Sequence, residues 1–371
     1  MRFPALLTRA LPASADHSGS IWHGRALARA ALGAAPFVAA ALLTAAPDLL
    51  LAQSPGRTSI KFSLDVRAEG PEPLFFLPQD RGYFKAEGLD VIGDDVVAPL
   101  DPLTRVVSGG YDMGFADINA LIRYRDQHPA APIRAVFMVY NKPPYAVVTR
   151  KSRGISEPRQ LENKRLGASA NGAALAQWPL FAKLNQIDIS KVSIETIGIP
   201  VRAPMLAAGQ IDAALGASFQ LYVDLKDRGV PVEDIVLMLM ENYGLILYGS
   251  SIVVNSKFAA EKPEAVRAFL RAFLRGLQDT IRRPAEAVET ILKRNDLAKK
   301  EVELERLRIA IRDNIVTPEV KANGLGGVDP VRFAQSIDQI GLTFHFKAKP
   351  KPDDVFDSAF LPPLNERKLD R

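Results

Sequence analysis

VVSGGYDMGFADINALI spans residues 106–122, and MLAAGQIDAALGASFQLYV spans residues 205–223. The two stretches read alike. Each has an apolar helix end, a Gly (Gly110, Gly209), an Asp shortly after it (Asp112, Asp212) and a short strand of small residues. What precedes them also matches: residues 73–93 read as a helix, GLDV and a strand, and residues 173–198 as a helix, QIDISKVSI and a strand. Two copies of one β-α-β-α-β pattern about a hundred residues apart predict two similar α/β lobes. Lobes that face each other leave a cleft, where small ligands bind.

The chain has 371 residues, enough for two domains with ordinary cores. Arg25 and Arg29 precede an Ala/Leu-rich run, and a small-residue site follows near Ala52. This predicts a secretory signal peptide over residues 1–52 and a periplasmic location; an uncleaved anchor is the alternative. The chain contains no Cys, which excludes a lipid-anchored Cys, disulfides and thiolate chemistry. His128 and His345 are the only His residues beyond residue 52, and neither sits in a metal-ligand pattern. Beyond residue 52 the net charge is +3, without a long basic block, so nucleic acid is not an expected partner. No metal, cofactor or catalytic residue is expected, and the chain is expected to be a monomer and not an enzyme.

Along the chain, strands and helices alternate. Residues 59–65 read as a strand, 74–87 as a helix and 133–140 as a strand buried on both faces of a parallel sheet. Residues 146–149 and 251–254 read as crossover strands joining two doubly wound lobes. The expected boundaries are 58–147 with 251–371 for the first lobe and 148–250 for the second. The tail is helical, with apolar residues at helical spacing from Val266 to Leu277, and is assigned no chemistry.

Ligands in open α/β sheets sit beyond the carboxyl ends of the strands. That rule selects Arg67 and Glu69 after the first strand, then Asp117 and Asn119, and then Tyr140. In the second half it selects Ser169 and Asn171, Arg202, Phe219 and Gln220, and Tyr243 and Tyr248 before the return crossover. Asp117 and residues 169–171 read equally as helix caps, the two arginines as surface charges and the aromatics as core. Arg67 and Arg202, if both reach the cleft, suit an oxyanion, because a guanidinium offers a planar donor fork. Asp112 and Asp212 lie at the opposite strand ends and read as structural turn residues.

At GYFKAEGLDV (82–91), SGGYDMGFADINALI (108–122) and KPEAVRAFLRAFLRG (262–276) the chain resembles the solute-binding proteins of nitrate/sulfonate/taurine ABC importers. It also resembles related proteins that bind pyrimidine precursors of thiamine. The resemblance runs from about residue 59 to about residue 362. It implies a two-lobed periplasmic receptor of type II that closes on a small organic anion or heteroaromatic and docks on an inner-membrane permease–ATPase complex. The alternatives it leaves are a pyrimidine-synthase-like enzyme on the same fold and a periplasmic ligand sensor. Pyrimidine-binding relatives carry a Trp-x-x-Asn and a His in the first loop, and residues 65–72 contain neither Trp nor His.

Overall fold

The computed structural model describes residues 56–64, 69–93 and 101–369. The expected signal peptide and Arg67 lie outside the described residues. The first lobe runs through β1 (Thr58–Ser63), α1 (Pro73–Asp80), α2 (Tyr83–Ala86), β2 (Leu89–Gly93), α3 (Pro102–Val107), β3 (Met113–Asp117), α4 (Ile118–Gln127) and β4 (Ile133–Met138). The chain then crosses over. The second lobe follows as β5 (Tyr145–Arg150), β6 (Arg165–Ala168), α5 (Ala173–Leu184), β7 (Ser193–Thr196), α6 (Ile199–Ala208), β8 (Ala213–Ala217), α7 (Ser218–Asp227) and β9 (Ile235–Leu239). The return strand is β10 (Ser250–Asn255). The tail contains α8 (Ser256–Glu261), α9 (Pro263–Arg282), α10 (Pro284–Ala287), α11 (Glu289–Leu292), α12 (Lys300–Ala310), α13 (Pro318–Asn323) and α14 (Pro330–Ile340).

The sheets have orders β2-β1-β3-β10-β4 and β7-β6-β8-β5-β9. These are the same order once each strand is matched to its repeat. In both, three parallel strands are followed by a crossover strand that runs antiparallel to its neighbours. The repeated Asp has one task in each lobe. The Asp112 carboxylate accepts the Lys61 N–H and the Asp212 carboxylate accepts the Arg165 N–H, both at 2.8 Å. Each Asp thus pins the start of its own strand to the neighbouring parallel strand.

Two expectations change. Residues 133–138 do not lie inside a parallel sheet: β4 is an edge strand paired antiparallel to β10 alone. Its continuous apolar run is buried because the tail covers it, with bridges from Met138 to Gly326 and from Ala135 to Phe356. The helix expected over residues 74–87 breaks at Arg81–Gly82, where Gly82 takes φ +70°, a conformation that costs other residues more.

The apolar stripe of α9 is buried as its spacing predicts. Phe269 stacks on Phe62 and Phe84, and Phe273 packs against Phe75 and Phe137. Gly276 allows α9 to lie directly on Pro78 of α1, where a Cβ would stand 2.7 Å from the proline ring.

The two inter-lobe connections run side by side. Gly249 N–H donates to the Tyr140 carbonyl at 2.9 Å, and Tyr140 N–H donates to the Ser250 carbonyl at 3.0 Å. Arg332 of α14 holds both of them. Its guanidinium reaches the Asn141 carbonyl (2.9 Å) on the outgoing connection and the Leu247 carbonyl (2.7 Å) on the return. It also pairs with Glu319 of α13 at 2.9 Å and lies 3.9 Å from the Tyr248 ring centre. The Tyr248 hydroxyl donates to Glu319 at 2.7 Å.

Candidate functional site

A cavity of about 660 Å³ lies between the lobes. The first lobe contributes residues 69–72, the loop after β1. The second contributes Ser169 after β6, Ile199 and Pro200 at the start of α6, and Ala217, Phe219 and Gln220 where β8 turns into α7. All of these lie at the carboxyl ends of parallel strands, where helix N-termini converge. Asp224, Asp227 and Arg228 of α7 and Arg306 of α12 complete the wall.

The internal repeat explains why the second lobe does more of the lining. Asp117 and Ala217 occupy the same position, five residues after the repeated Asp. Asp117 caps α4 by accepting the Asn119 and Ala120 N–H groups. Ala217 has no side-chain oxygen, so α7 begins without a side-chain cap. The α6 N-cap, Gly198, likewise gives none. At the start of α6 Pro200 has no N–H and Val201 N–H donates to the Gly198 carbonyl, and at the start of α7 Ser218 N–H donates to the Pro144 carbonyl, so the Phe219 and Gln220 N–H groups of α7 are the candidates for an acceptor.

Phe219 spans the gap. Its ring lies 6.4 Å from that of Tyr140, and its edge lies 3.8 Å from where a Gly70 Cβ would stand. Glu72 lies in the cavity wall, and its carboxylate accepts the Glu69 N–H at 3.1 Å. Burial pushes the Glu72 carboxyl well above its ordinary value of 4.5, against the pull of its backbone hydrogen bonds, and the carboxylates of Glu69 and Glu303 add to the rise. Such a carboxyl keeps its proton more readily and can donate as well as accept.

A sign follows for stability. A carboxyl whose pKa is raised on folding binds more protons folded than unfolded. Stability then falls as pH rises from about 4.5 toward the raised value, by at most about 1.4 kcal/mol per pH unit. Glu72→Gln cannot titrate. Its ligand-free Tm is expected to decline less than that of the parent as pH rises above about 4.5. Parallel Tm profiles of parent and variant would show that Glu72 does not titrate there.

Of the residues selected from sequence, Glu69, Ser169, Phe219 and Gln220 line the cavity, and Tyr140 packs behind Phe219. Asn171 is exposed on a turn beside it. Asp117 and Asn119 are used between the lobes instead. Asp117 accepts from the Tyr145 hydroxyl, and Asn119 donates to that hydroxyl (2.9 Å) and to the Tyr248 carbonyl (2.8 Å). Tyr243 packs on Phe181, and Tyr248 is buried in the Arg332 network. Arg202 is buried beneath the floor and donates to the Leu215 carbonyl at 2.5 Å. Burial lowers its pKa, opposed by Asp224. Arg202 therefore does not line the cavity, and Arg67, the other arginine that would suit an oxyanion, lies outside the described residues.

Glu72, Asp224 and Arg306 were not selected from the sequence. Asp224 had a signal: it follows Gln220 by four residues and so shares its helix face. Arg306 had none, because it sits in a tail helix 82 positions from its partner Asp224. No group of His, Cys, Asp and Glu suited to a metal occurs among the described residues.

Residues 74–287 match the family described as NMT1/THI5 like. The chain belongs to that family. It is 26% identical over 220 residues to the 4-amino-5-hydroxymethyl-2-methylpyrimidine phosphate synthase of Schizosaccharomyces pombe, covering 57% of this chain and 62% of that one. The match thus spans about three fifths of the relative's length. It is 25% identical over 310 residues to the formylaminopyrimidine-binding protein of Halalkalibacterium halodurans, covering 81% and 90%. The fold is that of periplasmic binding proteins: the periplasmic aliphatic sulphonate binding protein SsuA from Escherichia coli superposes with a TM-score of 0.60 at 11% identity, covering 85% and 92%. One expectation is overturned. The chain was expected not to be an enzyme, whereas relatives within this family are named as synthases.

Proposed function

We propose that this NMT1/THI5-like chain captures a small, flat, neutral or cationic heteroaromatic carrying an amino group, and presents it to an inner-membrane importer from the periplasm. The observation that carries this reading is the charge of the cavity wall. Among the described residues the wall sets the carboxyl groups of Glu69, Glu72, Asp224 and Asp227 against the guanidinium groups of Arg228 and Arg306, and Asp227 also pairs with Lys299. Of the two arginines, Arg306 is already paired with Asp224 and Glu303. A sulfonate or nitrate would meet more carboxyl groups than guanidinium groups there, with Arg228 the described lining arginine outside these pairs.

An aminated ring fits the same wall. Its amine donates to a carboxylate and its ring nitrogen accepts from the Glu72 proton or from an N–H at the start of α7. Its face lies on Phe219. The name of the formylaminopyrimidine-binding relative agrees with this ligand class.

The test is calorimetry on residues 53–371 with 4-amino-5-hydroxymethyl-2-methylpyrimidine, cytosine, taurine and nitrate, with mass spectrometry of the recovered compound. Saturable binding of an aminopyrimidine, with none for taurine or nitrate, is the expected result. Binding of the two anions alone would overturn the proposal. A recovered pyrimidine of altered mass would assign turnover to the same cleft.

A further inference from the structure

Arg306 lines the cavity from the tail, and its guanidinium faces three carboxylates from separate parts of the chain. Nη1 lies 2.6 Å from Glu303 on its own helix and 4.0 Å from Glu69 in the ligand-facing loop. Nη2 pairs with Asp224 on α7 of the second lobe. Glu303 is buried, and its other oxygen accepts the Gly70 N–H at 2.5 Å. One arginine and one glutamate therefore join the loop of the first lobe to a helix of the second.

The surroundings support this link. On one side of α12, Leu304 and Leu307 pack with Leu77 and Val288; on the other, Ile309 and Ala310 pack with Phe219 and Val223. Two further ion pairs, Lys226–Glu305 (2.7 Å) and Lys299–Asp227 (2.9 Å), also join α7 to the tail. These are exposed enough for water and salt to screen them. Arg306 is different, with a side chain only 12% exposed. A charge that buried must keep its partners, and the planar fork lets one side chain hold two carboxylates at once.

We propose that Arg306 is a positioning residue that locks the cleft, fixing loop 69–72 against α7 by pairing with Glu303 and Asp224 together. The proposal rests on the cleft being the ligand site. Opening the lobes would separate Arg306 from Asp224 or pull Gly70 from Glu303, so the ligand-facing loop and Phe219 keep one spacing. Ligand affinity then includes the free energy of this lock.

Two measurements on residues 53–371 test it. The first is amide hydrogen exchange of the ligand-free protein. Arg306→Gln is expected to speed exchange in peptides covering both residues 69–76 and residues 218–228, and Lys226→Met to leave both unchanged. The second is the Kd for 4-amino-5-hydroxymethyl-2-methylpyrimidine. Arg306→Gln is expected to raise it about tenfold or more, and adding Asp224→Asn to that variant should cost less than about twofold further, because the two groups act as one unit. Arg306→Lys keeps the charge without the fork and is expected to fall between the parent and Arg306→Gln.

Unchanged exchange in both peptides would overturn the lock, as would independent, multiplying effects of Arg306→Gln and Asp224→Asn. Should Arg306→Gln not fold, Asp224→Asn alone must loosen both peptides. If the parent fails to bind the pyrimidine, the cleft reading falls and the exchange experiment alone decides the lock.

Discussion

Replacing Arg332 with Leu is expected to lower the Tm of the ligand-free protein by roughly 6–12 °C. The guanidinium is mostly buried, and it serves both inter-lobe connections, Glu319 and the face of Tyr248. Leu fills part of the volume but leaves Glu319, with a side chain 17% exposed, without its cation. Stranding one member of a buried pair costs about 3–5 kcal/mol. The remaining exposure argues for the lower end, about 3 kcal/mol, and each kcal/mol moves Tm by about 2–4 °C in a domain of this size.

A second substitution separates the pair from the packing. Arg332→Leu with Glu319→Leu removes both charges and should recover part of the loss. A single-variant shift under about 2 °C would show that the Arg332 network does not hold the connections.

The other large effect concerns ligand rather than fold. Phe219→Leu should raise the Kd for an aminopyrimidine about 5- to 150-fold, the equivalent of the roughly 1–3 kcal/mol that stacking one base on an aromatic ring supplies. Leu is chosen because Phe219 also packs against Val223 and Ile309, and a branched side chain keeps much of that contact. Titration calorimetry reads the Kd, and the ligand-free Tm reads the packing. A large fall in Tm with an unchanged Kd would place the ring in the core and remove it from the ligand wall.

Much of the fold was legible in the sequence because it is written twice. The paired Asp residues, the small-residue strands and the helix spacing of α9 are local patterns, and each lobe repeats the other's strand order. The direction of the crossover strands was not legible, because pairing partners are set by chain segments far apart in sequence. β4 misled for the same reason: a continuous apolar run reports burial on both faces but not what does the covering.

The candidate site was legible where it follows the strand-end rule, at Glu69, Ser169, Phe219 and Gln220. The rule cannot tell which of two equivalent loops faces the cavity and which is used up holding the lobes together. Asp117 and Ala217 show the difference: one supplies its own cap and the other leaves the helix start open. Arg202 could not be placed from sequence, since a basic residue after a strand reads the same whether it points into water or beneath a sheet.

The position of β10 bears on the order in which the protein assembles as it emerges from synthesis. All five strands of the second sheet lie within residues 145–239, so that sheet can be complete once this stretch is free. The first sheet cannot. Its strands β3 and β4 do not touch until residues 250–255 enter between them. The segment made first is thus the one finished last, and β1–β4 wait with unpaired edges while the second lobe closes on itself. A chain that stops at residue 249 would carry one whole sheet and one with a gap at its centre. A holding factor that shields open strand edges would find its target in the first lobe, during the interval when residues 150–250 are being added.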